Sequence, residues 1–330
     1  MPAPTLLVLR ALALGDLLVA VPALRALRRA HPGHRVLLAT AGLLAPLALA
    51  SGAVDEVLPV TSPADLPTSP SGPPDVAVNL HGAGPQSHRA LDATRPSHRI
   101  GFRCAGVDGW TGPTHAEASA RHPHERALWC ALLEHHGIPA DPDDLRLPPP
   151  GLGAPVIVVH PGAAFGAKRW PAGRFAAVAR ALERRAPVVL TGTAPERELA
   201  LAVAAAAGLP AERVLAGRTS LTELCTVVAG AVLVVCGDTG VAHVASAYGT
   251  PSVVLFGPVG PGRWGPPPGP HRSLTHAELR RGDRFGEEPD PALTAIGIDE
   301  VLAAAALVLD GDGPGAGQRA AAPTGTDART

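Results

Sequence analysis

Short apolar runs alternate with longer amphipathic segments along the first part of the chain. The run "TLLVLR" predicts a strand, residues 16–30 predict a helix, and "RVLLAT" predicts a second strand. A helix near 42–51 and strands at "DEVLPV" and "PDVAVNL" continue the alternation, with a Pro/Ser-rich loop between the two strands. Because consecutive strands joined through a helix lie parallel, this part predicts a parallel sheet covered by helices.

The alternation pauses in the middle of the chain. A helix predicted at 122–137 ends at Gly137, a residue suited to the left-handed cap of a helix. The following stretch, "IPADPDDLRLPPPGLGAP", is rich in Pro, Gly and Asp and lacks a hydrophobic period. We therefore expect an N-terminal domain (1–138), a linker (139–155) and a C-terminal domain (156–310).

After the linker the alternation restarts and predicts a second parallel α/β unit. The predicted strands are "VIVVH", "PVVLTG", "RVLA", "AVLVVCG" and "PSVVLFG", and the predicted helices are 171–185, 194–207, 221–230, 240–248 and 298–309. The segment 311–330 has too little apolar surface to fold, which predicts a disordered tail. Two doubly wound, Rossmann-like sheets leave a cleft between them, and ligands bind there at the carboxyl ends of the strands.

Composition supports two domains and narrows the function. The 330 residues are 46% hydrophobic, which is enough for two cores, and Lys+Arg (28) balances Asp+Glu (29). With balanced charge and only 3% aromatic residues to stack on bases, the chain has no general attraction for nucleic acid. Any site for an anion must therefore be local.

The cysteines and the apolar N-terminus bear on localisation. Arg10 and Asp16 interrupt the apolar N-terminal stretch and no basic region precedes it, so we expect neither a signal peptide nor a membrane anchor. Widely spaced cysteines without Cys-x-x-Cys predict buried, reduced thiols in a cytoplasmic protein. The four cysteines are Cys104, Cys130, Cys225 and Cys236.

Asp16 follows the first predicted strand, after a glycine, at the start of the first helix. At the mouth of the cleft, this carboxylate is suited to accept the proton of an acceptor hydroxyl. The alternative is structural, since a first-turn carboxylate stabilises a helix by about 1 kcal/mol through free amides and the helix dipole. The spacing alone leaves both open.

Lys168 is the only lysine among the 28 Lys+Arg residues and lies in "HPGAAFGAKRWP" (160–171), after the first strand of the second domain. A lysine is a compact, mobile point charge, suited to an oxygen of a diphosphate that leaves during a reaction. The small residues around it let a ligand approach the backbone. The alternative is a solvated loop residue.

The stretch "CGDTGVAHVASAYGTPSVVLFG" places Asp238 and Thr239 after a strand and Gly240 at the start of a helix, with His243 one turn later. A helix N-terminus that a ligand approaches through glycine is a site for a pyrophosphate. The alternative is an N-cap with a packed histidine.

Several known signatures are absent from the sequence. No Gly-x-x-x-x-Gly-Lys and no Gly-x-Ser-x-Gly occurs, which disfavours nucleotide hydrolases and α/β-hydrolases. Adjacent histidines in "RHPHERALWCALLEHHG" point to different faces of a helix, so we expect no metal site.

Taken together, these stretches resemble glycosyltransferase family 9, the ADP-heptose:lipopolysaccharide heptosyltransferase family. The resemblance covers most of residues 5–265, through "RALALGDLLVAVPALRALRRAHP", "DVAVNLHGAGPQSHRA" with "RIGF", "HPGAAFGAKRWPAGRFAAVA", "VVLTGTAPERELA" and "DTGVAHVASAYGTPSVVLFGPVGPGRWGPP". It implies the GT-B fold, with an acceptor-binding first domain and a nucleotide-sugar-binding second domain. It also implies an inverting, metal-independent transfer that uses no cofactor beyond the nucleotide-sugar substrate.

The resemblance also implies roles for individual residues. Asp16 corresponds to the general base and Lys168 to the cation on the donor diphosphate, so these two are the catalytic candidates. The donor-binding candidates are His160, Gly162, Lys168, Thr219, Ser220, Leu221, Asp238, Thr239, Gly240 and His243. The acceptor-binding candidates are Asp16, His81, Arg89 and Arg99, and the arginines suit a phosphorylated or acidic acceptor.

The substrates are less defined than the reaction. Ala163 and Ala164 stand where heptosyltransferases often carry hydroxyl side chains, which leaves heptose and adenine specificity open. We expect a heptose or related sugar to pass from an ADP-heptose-like donor to a cell-envelope glycan or glycolipid, such as the lipopolysaccharide core. That acceptor would hold the protein peripherally at the cytoplasmic face of the inner membrane.

Other functions stay open at this point. One is a glycosyltransferase that acts on a secondary metabolite, and another is a non-catalytic homologue that binds nucleotide sugars or glycans. A nucleotide-sugar epimerase-like protein is disfavoured because no second cluster of catalytic carboxylates accompanies Asp16.

Overall fold

The computed structural model describes residues 3–67, 72–151 and 153–311 of the chain. The first sheet has five parallel strands, which are β1 (Thr5–Leu9), β2 (Arg35–Thr40), β3 (Glu56–Pro59), β4 (Val76–Asn79) and β5 (His98–Ile100). Their order in the sheet is β3-β2-β1-β4-β5. The helices of this half are α1 (Leu14–Ala30), α2 (Ala45–Ala50), α3 (Gln86–Ala93), α4 (His115–Arg121) and α5 (Glu125–His135).

A second sheet of the same kind follows. Its parallel strands are β6 (Ile157–His160), β7 (Val188–Leu190), β8 (Leu233–Gly237), β9 (Ser252–Leu255) and β10 (His271–Leu274). They are arranged as β10-β9-β8-β6-β7. Its helices are α6 (Ala172–Leu182), α7 (Arg197–Ala207), α8 (Leu221–Gly230), α9 (Gly240–Tyr248), α10 (Pro261–Trp264), α11 (Pro291–Thr294) and α12 (Ile298–Leu309).

Helices cover both sheets, which explains why the central strands are apolar without alternation. Every residue of β4, β6, β8 and β9 is buried, as expected for parallel strands between two layers of helices. In the first half, α1 buries an apolar face that includes Leu17, Leu24 and Leu27 and packs against α5. The predicted architecture of two doubly wound parallel sheets is confirmed.

The structure differs from the sequence prediction at several segments. The stretch "RVLA" (213–216) is not a strand, because a 3₁₀ turn at Ala211–Arg213 leaves only Val214 to form a single bridge with Leu190. The hydrophobic pattern does not predict α3, β5 or β10, since these elements are short and largely polar. The helix predicted at 122–137 is shorter and corresponds to α5.

The predicted linker contacts both halves of the protein. Asp144 accepts hydrogen bonds from Arg25 at 2.7 Å and from Arg29 at 2.6 Å, both on α1. Three residues later, the amide of Leu147 donates to the carbonyl of Ala247 in α9 at 2.9 Å. The linker therefore runs along the contact between α1 and α9, while the domain boundaries stay a prediction.

The sequence also made predictions about the cysteines, the C-terminal tail and membrane anchoring. All four cysteines are free thiols, three of them buried, and burial raises the pKa of Cys130 to about 12. The predicted tail (311–330) lies outside the described residues apart from Gly311. Within the described ranges, no helix combines the length and the apolar character needed to cross a bilayer.

Candidate active site

A cavity of about 930 Å³ lies between the two sheets, a volume typical of small-molecule sites. Its walls come mainly from loops at the carboxyl ends of β1, β4, β6, β7, β8 and β9, with further residues from α4, α5 and α8. The predicted site residues that line it are Asp16, His81, His160, Lys168, Thr219, Ser220, Leu221, Asp238, Thr239, Gly240 and His243.

Three predicted site residues lie outside this lining. Gly162 is buried behind the wall, where a Cβ atom would overlap the carboxylate of Glu196, so the glycine lets that lining residue approach. Arg99 pairs with Asp92 at 2.6 Å within the first domain. Arg89 is exposed on α3. The structure therefore gives neither arginine a contact with the cavity.

The carboxylate of Asp16 stands in the first turn of α1, beside a buried guanidinium. Nε of Arg10 donates to the carbonyl of Asp16 at 2.7 Å, and Nη2 lies 3.6 Å from its Oδ1. Arg10 also donates to the carbonyl of Leu80 and lies 4.7 Å from the centroid of the Trp129 ring. Burial lowers the pKa of Arg10, while the charges of Asp16 and Glu125 oppose that effect. These contacts hold Asp16 in place with 28% of its side chain exposed.

An ion pair joins the two domains in the same cavity. Glu125 in α5 is almost fully buried and accepts hydrogen bonds from Arg263 of the second domain at 2.9 and 2.6 Å. Its other carboxylate oxygen accepts from Nε1 of Trp129 at 3.2 Å. Because Arg10 stacks on that Trp129 ring, a connected set of contacts runs from Asp16 to Arg263. The sequence analysis missed Arg10, Glu125 and Arg263 as lining residues, because residue type alone does not distinguish them from surface charges.

Lys168 meets Asp238 at the carboxyl ends of two neighbouring strands. Lys168 ends the 3₁₀ turn Gly166–Lys168 after β6, and Asp238 follows β8. The Nζ atom of Lys168 lies 2.7 Å from Oδ2 of Asp238, with side chains that are 21% and 7% exposed. The ammonium is therefore held beside the start of α9 and still borders the cavity.

Two helix N-termini meet at the cavity. Neither has a capping side chain, since Ala13 before α1 and Thr239 before α9 make no capping hydrogen bond. Glycines let the two helices approach, because a Cβ on Gly15 would lie 2.7 Å from Cδ2 of His243, and one on Gly240 would crowd α1. Uncapped amides and two helix dipoles favour a bound anion at this point.

Gly15→Ala should destabilise the protein by about 1–3 kcal/mol, since the added methyl group meets the buried ring of His243. Gly173 is the matched control, because it also occupies the second position of a helix but has nothing within 4 Å of its would-be Cβ. Gly173→Ala should be neutral or stabilising by up to about 1 kcal/mol. Urea unfolding measures both variants, and equal stabilities would contradict this close approach of the domains.

His243 is a neutral ring at pH 7. Burial lowers its pKa to about 4, although the charges of Asp238 and Asp16 act to raise it. The ring meets Trp264 edge to face, with centroids 5.8 Å apart. His243 therefore offers the cavity a hydrogen-bonding nitrogen and no positive charge.

Other polar side chains that line the cavity in the second domain already form hydrogen bonds within the protein. Nδ1 of His160 makes a 3.0 Å hydrogen bond with a buried threonine hydroxyl, and burial lowers the pKa of this histidine. Ser220 caps α8 by accepting from the amide of Glu223 at 3.3 Å. Glu196, which the sequence analysis missed, accepts from the amide and hydroxyl of Thr193 at 2.7 and 2.8 Å. The spacing of a capping box was its only signal in the sequence.

His81 lines the cavity on the side of the first domain. Its amide donates to Asn79 Oδ1 at 3.0 Å, whereas its ring atom Nδ1 is buried without a hydrogen-bond partner in the described part of the chain. Burial lowers the pKa of His81, and the charge of Arg10 adds to this effect. The lowered pKa favours the neutral imidazole at the cavity wall, with its Nδ1 atom enclosed by the protein.

Part of this chain is similar in sequence to known proteins, and the whole chain is similar in fold to solved structures. The model of glycosyltransferase family 9 (heptosyltransferase) matches residues 130–282. Lipopolysaccharide heptosyltransferase 2 of Escherichia coli (strain K12) is 38% identical over 112 residues, which cover 32% of this chain and 32% of that protein. The match thus spans about a third of the length of this curated relative.

Two solved structures extend the likeness to the whole fold. E. coli ADP-heptose lps heptosyltransferase II has a TM-score of 0.75 at 23% identity, over 93% of this chain and 99% of that one. The iron-containing dodecameric glycosyltransferase TibC from enterotoxigenic E. coli H10407 has a TM-score of 0.58 at 14% identity, over 93% and 76% of the two chains. Residues 130–282 therefore match the model of glycosyltransferase family 9 (heptosyltransferase), and the whole chain has the two-sheet, GT-B-like fold of these solved glycosyltransferases.

Proposed function

We propose that this chain is an inverting glycosyltransferase, which moves a glycosyl group from a nucleoside-diphosphate sugar to a hydroxyl group of an acceptor. One observation carries the proposal: Asp16 of the first domain and the Lys168–Asp238 pair of the second line one cavity at two uncapped helix N-termini. A proton acceptor and a site for an anion therefore border the same space.

The second domain would bind the leaving diphosphate. As the bond between the anomeric carbon and the phosphate oxygen breaks, negative charge grows on the diphosphate. The Lys168 ammonium and the free amides of α9 are already oriented, so they can stabilise this charge without reorganisation. Asp238 shares the ammonium and would orient it.

The first domain would activate the acceptor. The acceptor oxygen attacks the anomeric carbon on the face opposite the diphosphate, which inverts the configuration, and its proton passes to the carboxylate of Asp16. Arg10 keeps that carboxylate at the mouth of the cavity. A carboxylate is a weak base for a hydroxyl group, so it accepts this proton only as positive charge develops on the attacking oxygen in the transition state. The position of the carboxylate therefore matters more than its basicity.

For the substrates, we propose a heptose or related sugar on an ADP-like carrier, and a cell-envelope glycan or glycolipid as the acceptor. The matched segment of a lipopolysaccharide heptosyltransferase supports this choice. The reaction would take place in the cytoplasm, where nucleotide sugars are substrates. Because Ala163 and Ala164 line the cavity without hydroxyl groups, fewer side chains are available there to select one sugar.

We also propose that the transfer needs no metal ion, since Lys168 and the helix amides supply the positive field. In the described ranges, no group of three or more His, Cys, Asp or Glu side chains is arranged to hold a metal. The iron in TibC makes this a point to test directly. Activity should therefore persist in EDTA, and its loss with rescue by a divalent cation would contradict the proposal.

The first experiment is a thermal-shift panel with ADP-, GDP-, UDP- and dTDP-sugars in EDTA. One donor should raise the melting temperature by several degrees, because a ligand that binds only the folded state stabilises it by mass action. Lys168→Ala should abolish that shift. Arg185→Ala, which removes the cation of an exposed pair with Asp310 outside the cavity, should keep it. A shift that survives Lys168→Ala would contradict the assigned site.

A further inference from the structure

One segment of the second domain borders the cavity next to the turn that carries Lys168. We call residues 281–290 the rim loop. The carbonyl of Gly286 accepts from the amide of Ala167 at 2.8 Å, and the amide of Asp290 donates to the carbonyl of Ala167 at 3.1 Å. A Cβ atom on Gly166 would overlap the carbonyl of Glu287, so only glycine permits this approach. The rim loop is therefore tied to the turn that carries Lys168.

A buried carboxylate fixes the base of the rim loop. Asp290 is 3% exposed and accepts hydrogen bonds from the amides of Arg281, Gly282 and Ala292 at 3.1, 3.2 and 2.9 Å. These bonds satisfy backbone donors at the start of the loop and just after its end. The loop thus has a defined conformation where it meets the cavity.

The tip of the rim loop carries an aromatic pair and an arginine. Phe285 and Phe165 are 59% and 39% exposed, and their rings meet edge to face with centroids 5.0 Å apart. The guanidinium of Arg284 lies 4.5 Å from the centroid of the Phe285 ring. All three side chains line the cavity. Two of the five phenylalanines in the chain are therefore exposed together at the edge of the cavity, and the ring of Phe285 contacts a cation there.

Arg284 differs from the other cations of the cavity in its charge partners. Arg10 pairs with Asp16, Lys168 with Asp238 and Arg263 with Glu125. Over the part of the chain that the structure describes, Arg284 contacts the Phe285 ring and forms no ion pair with a carboxylate. Its charge is therefore available to an anionic ligand.

We propose that Arg284 is a second cation for the diphosphate of the donor and binds it from the solvent side, opposite Lys168. The inference rests on the proposed function. The Phe165–Phe285 pair would hold the guanidinium over the bound diphosphate and exclude water from it. Because guanidinium binds phosphate oxygens in bidentate fashion, Arg284 would add contacts at a site where Ala163 and Ala164 offer no hydroxyl groups.

The alternative ligand for Arg284 is a phosphate group on the acceptor, which would bind a guanidinium in the same way. The backbone bonds between the rim loop and the Lys168 turn favour the donor diphosphate as the ligand of Arg284. They hold the loop of Arg284 on the second domain, next to the turn that carries Lys168, the cation proposed to bind the leaving diphosphate. An arginine that served the acceptor would leave the affinity for a free nucleotide unchanged. The two ligands therefore differ in a measurement that needs no acceptor.

The test is titration calorimetry of the full-length protein with three ligands: ADP, AMP and inorganic pyrophosphate. Pyrophosphate has no nucleobase and therefore reports on the diphosphate contacts alone. Arg284→Ala should weaken ADP and pyrophosphate about tenfold, the loss typical of one charge-assisted contact, and change AMP less than twofold. Phe285→Ala should weaken ADP in the same direction, because the guanidinium loses its support. Arg281→Ala is the matched control, an exposed arginine of the same loop outside the lining, and should bind as the unchanged chain does.

The outcomes separate this inference from the proposed function. If Arg284→Ala leaves the ADP and pyrophosphate affinities unchanged, or weakens AMP and ADP equally, the role of Arg284 is wrong and the proposed function is unaffected. Failure of the unchanged chain to bind ADP and pyrophosphate at all would overturn both. If Arg281→Ala weakens ADP as much as Arg284→Ala does, the effect is a general one of surface charge and the inference fails.

Discussion

Replacing Asp16 with asparagine should lower turnover at least a hundredfold while the protein folds normally. General base catalysis typically contributes factors of 10² to 10⁴, and an amide does not accept the proton of the acceptor hydroxyl. Asparagine keeps the size of the side chain, so Arg10 can still donate to the carbonyl at position 16. We expect the loss in kcat measured at saturating donor and acceptor, with little change in donor affinity.

Asp299 provides a matched control for this variant. It is also a first-turn carboxylate, at the start of α12, but it is exposed and lies outside the lining of the cavity. Asp299→Asn should lose only the helix-dipole contribution, about 0.3–1 kcal/mol of stability, and keep full activity. If Asp16→Asn lowers turnover by less than about tenfold at unchanged stability, Asp16 is not the base.

Lys168→Arg should fold normally and still lose most of its turnover, by about two orders of magnitude. Nζ of Lys168 occupies a confined position 2.7 Å from Asp238, in a turn whose backbone is bonded to the rim loop. A guanidinium is larger and planar, so it would not follow a single diphosphate oxygen as the ammonium does. The loss should appear in kcat more than in donor affinity, because positive charge is kept while its alignment with the leaving oxygen is lost.

The control for Lys168→Arg is an arginine-to-lysine substitution outside the cavity. Arg185→Lys changes the same two residue types in an exposed ion pair outside the cavity and should leave turnover unaltered. Near-normal activity of Lys168→Arg would mean that a positive charge is sufficient there. The presence of one lysine in a chain rich in arginine would then have no catalytic explanation.

The sequence predicted those elements well whose structure is determined by their own residues. Buried parallel strands such as β8 are continuous apolar runs, and helices such as α9 and α12 match their predicted bounds because an apolar face and clear end signals define them. Prediction failed for "RVLA", β5 and β10. These segments are short, so their state depends on whether a neighbouring strand edge is available and less on their own composition.

The sequence by itself determined that Asp16, Lys168 and Asp238 each follow a strand, and therefore that they lie on the cleft side of their sheets. Only the tertiary structure decided which groups touch. The Lys168–Asp238 pair, the approach of Gly15 to His243 and the Glu125–Arg263 bridge all join residues far apart in the chain. The same holds for the rim loop, whose polar sequence gives no hydrophobic period to read. Its position depends on the space left by Gly166 and on the backbone bonds of Ala167 to residues 286 and 290, because these join segments far apart in the chain and form only when the second half is folded.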